Sequence, residues 1–316
     1  MNGMRFMNRH GLSGGLLLKA VLVLLTPLSA WAGGAGTTSA QFLKMGVGAR
    51  SLGMAGAYVA VADDAHALYW NPAGAAQAER PQIASSYNIL YQDTSQGYLS
   101  YIHPTSVGVW GLGLNYLQVA DIEKRAGDTA AADSTFSSKD SAYSVSYTRP
   151  RVWKDLSLGF TLKALQLKLD TKSASAFAVD LGAHYRREDS PLSLGVSVLN
   201  LGSSVKYDTV SDPLPLGVKV GAAYRFFNNR LLAAAGADSW VQEGINSAQL
   251  GVEWRPVSLF ALRTGYQYAP SRTELGGTVG FSAGVGFHVR KLDIDYAYVP
   301  FGDLGDTNRL SLSFTF

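Results

Sequence analysis

The chain has 316 residues and a formal net charge of +3, and it contains no cysteine. Disulfides and thiolate metal sites are therefore excluded. The small, unclustered charge gives no basis for a nucleic-acid partner. The chain has 34 glycines and 16 tyrosines, only 16% of its residues are charged, and it lacks the long amphipathic helical windows of an α/β enzyme. This composition favours one repetitive β structure.

Residues 1–32 have the features of an export signal. Arg5 and Arg9 give a positive start, residues 20–28 form a short apolar core, and the small residues at 30 and 32 predict cleavage directly after position 32. The apolar core is too short for a comfortable membrane-spanning helix. We therefore expect export through a cleaved signal peptide.

The next stretch, residues 33–80, never settles into a two-residue alternation. Its local chemistry predicts short helices joined by turns. Ser39 is placed to cap the first helix and Asp63 or Asp64 the second. Asn71 followed by Pro72 combines a cap with proline at the first helical position. On composition alone, the stretch is equally compatible with an ordinary flap of turns on a soluble domain.

From residue 81 to 316 the chain consists of short alternating runs separated by turn residues, for example Leu310, Leu312 and Phe314 against Ser311 and Ser313. The runs have the length that a tilted membrane strand needs. The fourteen predicted strands cover residues 82–91, 96–103, 107–118, 140–149, 156–164, 175–187, 191–200, 214–226, 230–240, 245–255, 258–268, 275–289, 291–299 and 308–316. Alternation alone is also compatible with a soluble sandwich, because both architectures hide one face.

Three further features favour a membrane barrel. The export signal places the chain outside the cytoplasm, and short turns alternate with longer loops, including 119–139 and 201–213, as in outer-membrane barrels. Aromatic residues end the apolar faces as an interfacial girdle would: Tyr87, Tyr224, Trp254, Tyr268 and Tyr298. An open sheet in lipid leaves edge groups unpaired, so the last strand must pair with the first. We predict an all-β fold, a transmembrane antiparallel β-barrel of about 14 strands.

Two segments depart from the alternation. Leu156, Leu158, Phe160 and Leu162 share one parity, but Leu165, Leu167 and Leu169 take the other, which predicts a bulge or an exit from the membrane near Ala164. Residues 231–237 are mostly alanine and glycine and give almost no parity.

Positions that face the lumen are small in one strand and charged in several others. In strand 275–289 the inward positions would let another backbone approach closely, and the 36–76 stretch is the candidate: Gly276, Thr278, Gly280, Ser282, Gly284 and Gly286. Both signs of charge occur at the other inward positions: Asp180, Arg186, Lys219, Arg225, Glu253, Arg263, Asp293 and Asp295. These form either a pairing network that holds the N-terminal stretch to the wall or, less favoured, an ion or substrate site.

Four short motifs occur in fixed order within the N-terminal stretch: residues 48–50 (GAR), 53–57 (GMAGA), 62–65 (ADDA) and 71–73 (NPA). They closely resemble the start of the PorV/PorQ outer-membrane proteins and, more distantly, the N-terminal plug of the FadL-type long-chain fatty acid transporters. The resemblance implies an N-terminal plug, or hatch, at 33–80 inside an outer-membrane barrel at 81–316. It also implies a Gram-negative-type outer membrane.

Two functions follow from the resemblance. FadL-type transport implies that a hydrophobic small molecule is captured and that plug movement opens an exit. Plug residues would contact this ligand or fix the moving turn: Phe42, Leu43, Met45, Tyr58, Tyr69, Trp70, Asn71 and Pro72. Plain packing of plug against wall explains the aromatic ones equally well. The alternative is a docking or shuttle barrel in type IX-like protein secretion, with loop 119–139 as the partner surface.

Enzyme signatures are absent from the sequence. None of His66, His103, His184 and His288 lies in a nucleophile elbow or a His-x-x-x-His metal pair. We expect no catalytic residues, no cofactor and no metal. The expected partners are outer-membrane lipid, and a hydrophobic ligand or secretion-system subunits. The last strand, which ends at Phe316, resembles a terminal assembly signal, so the barrel-assembly machinery is a further expected partner.

Overall fold

The computed structural model describes residues 34, 36–90, 94–207, 209–270, 279–302 and 305–316. The predicted signal peptide and the first residues of the predicted strand 275–289 lie outside these ranges. Within them, no helix is both long enough and apolar enough to span a membrane.

The fold prediction is confirmed: fourteen antiparallel strands form one closed barrel. The first strand pairs with the last over its whole length, so the barrel has no free edge. The barrel strands are β1 Gln82–Ile89, β2 Thr94–Thr105, β3 Gly108–Lys124, β4 Ser134–Trp153, β5 Leu156–Leu169, β6 Lys172–Arg186, β7 Leu192–Gly202, β10 Gly217–Phe226, β11 Leu231–Trp240, β12 Ile245–Val257, β13 Phe260–Tyr268, β14 Phe281–Val289, β15 Leu292–Pro300 and β16 Asp306–Thr315. A separate small hairpin joins β8 Val205–Tyr207 and β9 Val210–Asp212 between β7 and β10.

The alternating apolar and polar residues of each strand place apolar side chains on the outer surface of the barrel and polar side chains in its lumen. In β16, Leu310 and Leu312 are 48% and 42% exposed, whereas Arg309 and Ser311 are 4% and 1% exposed. An outer surface of exposed leucine, phenylalanine and tyrosine is stable only when lipid surrounds it. The strand at Leu231–Trp240, which shows little alternation in sequence, pairs continuously with both neighbours.

The two ends of the barrel differ. The chain enters β1 and leaves β16 at the same end, where the links are short: 106–107, 154–155, 187–191, 227–230, 258–259 and 290–291. We call this the short-turn end and expect it to face the periplasm, because outer-membrane barrels have their short turns on that side. The opposite, long-loop end carries the longest links, as predicted, although its turn at 170–171 has only two residues. The predicted loop 119–139 is mostly strand, however, since β3 and β4 extend until only 125–133 remain as a loop.

The parity change in β5 does not come from a bulge. Tyr143 pairs with Ala164 and Ala142 with Leu165 in unbroken register, and Phe177 faces Ala164 from the other side. Leu165 and Leu167 instead point inward onto buried apolar side chains. The outward positions beyond Ala164 become polar, as expected where a strand leaves the membrane.

The segment 36–80, called the inner segment below, forms short helices: Gln41–Lys44 and Pro72–Gln77 are 3-10 helices, and Ala49–Gly53 and Ala67–Trp70 are α-helices. Asn71 caps the last one as predicted, since its side chain accepts a hydrogen bond from the Ala73 amide at 3.1 Å. Ser39 does not cap the first helix, whose N-cap is Ala40 in a left-handed conformation. Neither Asp63 nor Asp64 caps the helix Ala67–Trp70, whose N-cap is His66 without a side-chain cap; Asp64 instead accepts from the His66 amide at 2.9 Å.

Candidate functional site

The inner segment lies against a ring of glycines on the barrel wall. A methyl group on Gly159 would lie 2.6 Å from the Ala73 nitrogen, and one on Gly284 would lie 3.3 Å from the Gly53 Cα. The same crowding against segment 53–73 occurs at further wall positions: Gly182, Gly195, Gly221, Gly251 and Gly265. Because glycine has no Cβ, backbone can meet backbone here. The sequence predicted this contact for Gly284 alone among these positions, and Gly280 and Gly286 contact other wall residues instead.

Hydrogen bonds fix the segment where the glycines let it approach. The Asn71 side chain donates to the Val59 carbonyl at 2.9 Å and to the Ala183 carbonyl of β6 at 3.1 Å. The Thr148 hydroxyl donates to the Pro72 carbonyl at 2.6 Å, and the Ser197 hydroxyl to the Trp70 carbonyl at 3.0 Å. The predicted turn residues Asn71 and Pro72 therefore anchor the segment to β6 and β4, and Trp70 adds the contact with β7.

A buried charge network links the segment to the opposite wall. Arg50 donates from Nε to Glu253 at 2.8 Å and from Nη1 to Asp63 at 2.5 Å and to the Tyr58 hydroxyl at 3.0 Å. Arg263 bridges the same Glu253, at 2.7 Å, to Asp295, at 2.6 Å. The predictions from sequence placed Glu253, Arg263 and Asp295 in the lumen but missed Arg50, which lies in the GAR motif.

The other predicted lumen charges also have partners. Asp180 meets Lys163 at 2.6 Å, Lys219 meets Asp238 at 2.5 Å, and Asp293 meets His288 at 2.6 Å. Arg225 lies 3.6 Å from Asp63, and Arg186, which is exposed, donates to Gln77. These contacts favour the pairing-network interpretation over an ion or substrate site.

The predicted ligand-contacting residues separate into two groups. Phe42 and Leu43 are buried in an apolar cluster with Leu165, Leu167 and Leu214. Tyr58 and Tyr69 are buried as well, and the Tyr69 hydroxyl donates to the Leu43 carbonyl at 2.9 Å. These four side chains are fully engaged in packing, as the packing alternative expects.

Met45 and Trp70, in contrast, line a cavity of about 380 Å³ at the long-loop end. Its wall is formed by the strands from β10 to β16, and its apolar lining includes Leu52, Trp240 and Ile245. The lining also contains four charged side chains, Lys44, Lys219, Asp238 and Arg309. The Lys219 ammonium lies 5.2 Å from the ring centres of both Trp70 and Trp240. The sequence did not indicate that Trp240 faces inward, because residues 231–237 of its strand give almost no parity.

The four histidines do not meet in one place. His184 faces the Ala60 carbonyl at 3.0 Å, and His66 stacks on Tyr98 at a ring distance of 5.9 Å. Among the described residues, no group of three or more His, Asp or Glu side chains could hold a metal ion.

Fold and site together define a class of protein: an outer-membrane β-barrel whose lumen holds its own N-terminal segment. The family model described as "Type IX secretion system protein PorV" matches residues 32–235, and the chain belongs to this family. No curated protein sequence matches the chain.

Solved structures of similar fold include channels. The chain resembles a TodX deltaS2S3 mutant monoaromatic hydrocarbon channel (TM-score 0.61, 16% identity, 86% of this chain and 99% of that one). It also resembles a Pseudomonas aeruginosa FadL homologue (TM-score 0.58, 13% identity, 85% of this chain and 98% of that one). At these identities the likeness concerns the fold alone.

Proposed function

We propose that this barrel binds a hydrophobic small molecule in the cavity beside Met45 and Trp70, and that the inner segment is the plug that controls its passage. The observation that carries the proposal is the cavity itself. It has about 380 Å³ of space and lies between the segment and the wall at the long-loop end. Ligand pockets in proteins begin at about this size and are mostly apolar with a few polar groups.

The contacts of Trp70 connect the cavity to the rest of the plug. Its ring lines the cavity, its indole N–H donates to the Val47 carbonyl at 3.0 Å, and its own carbonyl accepts from Ser197. A ligand that displaces the ring acts on both the segment and β7. Passage toward the periplasm requires the segment to leave the glycine ring. A solved hydrocarbon channel shares this fold, so the fold is compatible with this function.

Tryptophan substitutions test the cavity. Ile245 lines it, whereas Leu250 in the same strand is 64% exposed on the outer face. Ile245→Trp should fill the cavity and weaken binding of a test series of aromatic hydrocarbons and alkanoates by at least about tenfold, the loss expected when a ligand loses most of its contact area. Leu250→Trp is the matched control and should bind like the unmodified barrel. Binding is measured by calorimetry in detergent. If both variants bind these compounds equally well, the cavity is not the binding site.

Family membership favours a second candidate, a non-enzymatic role in protein secretion. The family match covers the inner segment and β1 to β10 but ends within β11. It therefore contains the extended β3–β4 hairpin and omits most of the cavity wall. If docking is the role, deleting loop 125–133 should abolish co-purification of a secretion subunit or cargo protein from the native outer membrane. The Ile245→Trp variant should retain that co-purification, so the two roles give different outcomes.

A further inference from the structure

The short-turn end of the barrel is strongly basic. Its links and adjoining strand ends are residues 149–155, 186–191, 225–230, 255–259 and 290–291, which we call the basic rim. They contain ten cationic and three anionic side chains. At the long-loop end, links 119–134 and 238–245 contain six anionic and two cationic side chains. The charge is therefore separated between the two ends, although the whole chain is nearly neutral.

Several of these cations are not used inside the protein. Arg151 pairs with Glu188, and Arg187 pairs with Asp189. Lys154, Arg230, Arg290 and Lys291 are exposed and form no ion pair with a described residue. Internal stability therefore does not account for these four charges.

An exposed apolar side chain stands beside the cations in three separate turns. Trp153 is 68% exposed next to Lys154, Phe227 is 74% exposed near Arg230, and Val289 is 50% exposed next to Arg290. The Lys154 ammonium lies 5.3 Å from the centre of the Trp153 ring. Aromatic side chains prefer the boundary between hydrocarbon and headgroups, and lysine and arginine extend their charge from there toward the polar layer.

This repeated arrangement matches the headgroup layer of a phospholipid leaflet. We propose that the basic rim binds anionic phospholipid headgroups in the leaflet that faces the periplasm, through the phosphate oxygens. Each lysine or arginine near an anionic lipid surface strengthens the attraction by about fivefold. A soluble polyanion would need no apolar neighbours at the rim, so the three exposed apolar side chains favour lipid.

Retention of lipid by the purified barrel tests the proposal. The barrel, extracted in a neutral detergent, is mixed with equal amounts of phosphatidylglycerol and phosphatidylcholine that have the same acyl chains, and native mass spectrometry counts the retained lipids. We expect enrichment of phosphatidylglycerol that weakens as salt is added. The variant with Lys154→Gln, Arg230→Gln, Arg290→Gln and Lys291→Gln should reduce the enrichment by about tenfold or more.

A matched control removes the same charge from the other end of the barrel. It carries Lys139→Gln, Lys168→Gln, Lys172→Gln and Lys206→Gln, and it should retain the enrichment of the unmodified barrel. Heat-shift gels show whether both variants are folded. Equal retention of the two lipids by the unmodified barrel would overturn the proposal, as would full enrichment in the basic-rim variant. Binding of soluble polyphosphate without lipid enrichment would also overturn it.

Discussion

The inner segment meets two very different halves of the barrel. On the tall side, β3 to β6 have 14 to 20 residues each, and the segment fills the space with Phe42 and Leu43. On the low side, β13 to β15 have nine residues each, and the segment is held by the ion pairs of Arg50 and leaves a cavity. Apolar packing fills volume without leaving a gap, whereas ion pairs fix a few atoms and leave room between them. The tall side therefore serves as the anchor, and the low side is where binding and movement are expected.

The largest expected loss of stability comes from removing the ion pairs that hold the inner segment to the low side. Arg50→Met removes the cation that the buried Glu253 and the half-buried Asp63 share, while Arg263 and Arg255 still pair with Glu253. Breaking a buried ion pair costs about 3–5 kcal/mol, and the remaining partners place the expected loss at the lower end of this range. Thermal unfolding of the purified barrel and protease access to the inner segment measure the loss. Arg151→Met, which removes an exposed pair with Glu188, is the control and should change little. A stable, protease-resistant Arg50 variant would contradict the role of Arg50 in holding the segment to the low side.

On the tall side, Phe42→Ala should cost about 3 kcal/mol, because it leaves a cavity in the apolar cluster with Leu165 and Leu167. The affinity of the cavity beside Ile245 for its ligand should change little in the same variant, since Phe42 does not line this cavity. Unfolding experiments and binding measurements on one preparation check both parts. A loss of affinity as large as that of Ile245→Trp would mean that the two sides are not independent.

The glycine ring predicts a smaller effect. Gly159→Ala places a methyl group against the Pro72–Ala73 backbone, and the clash is relieved only if the barrel wall or the inner segment shifts. Overpacking of this kind costs about 1–3 kcal/mol. Gly127→Ala is a suitable control because no atom lies within 4 Å of the added methyl group. The midpoint of thermal unfolding should fall for the first variant only.

The smallest effect concerns pH. Burial by itself raises the pKa of Glu243, but hydrogen bonds from Lys44, Thr38 and Gln41 outweigh it and hold the pKa below its ordinary value of 4.5. Because the folded pKa is depressed, this contact stabilises the segment above pH 4.5 and is lost as the pH falls through the folded pKa. Limited proteolysis at pH values above and below 4.5 should show that the stretch around Thr38, Gln41 and Lys44 becomes accessible to protease as the pH falls. Glu243→Gln should remove the pH dependence, and an unchanged acid transition in that variant would assign it to another group.

The sequence predicted the barrel well and its interior less well. Strand count, closure and the inward positions of Glu253, Arg263 and Asp295 followed from a period of two residues, which each strand carries locally. For Leu165 and Leu167 the same rule offered a bulge or an exit from the membrane, because it assumes that inward positions are polar, and the unbroken register excludes only the bulge. It also gave Phe42 and Met45 the same role, although only Met45 lines the cavity.

Local chemistry was sufficient for the strands, their faces and the capped turn at Asn71. The contact between Arg50 and Glu253, which are 203 residues apart in the chain, arises only when the barrel closes. The seven glycines of the ring belong to seven different strands, and their common height depends on the register around the whole wall. The cavity depends on the same closure, because it is the space left between a folded segment and a finished wall, and no short stretch of chain contains that information.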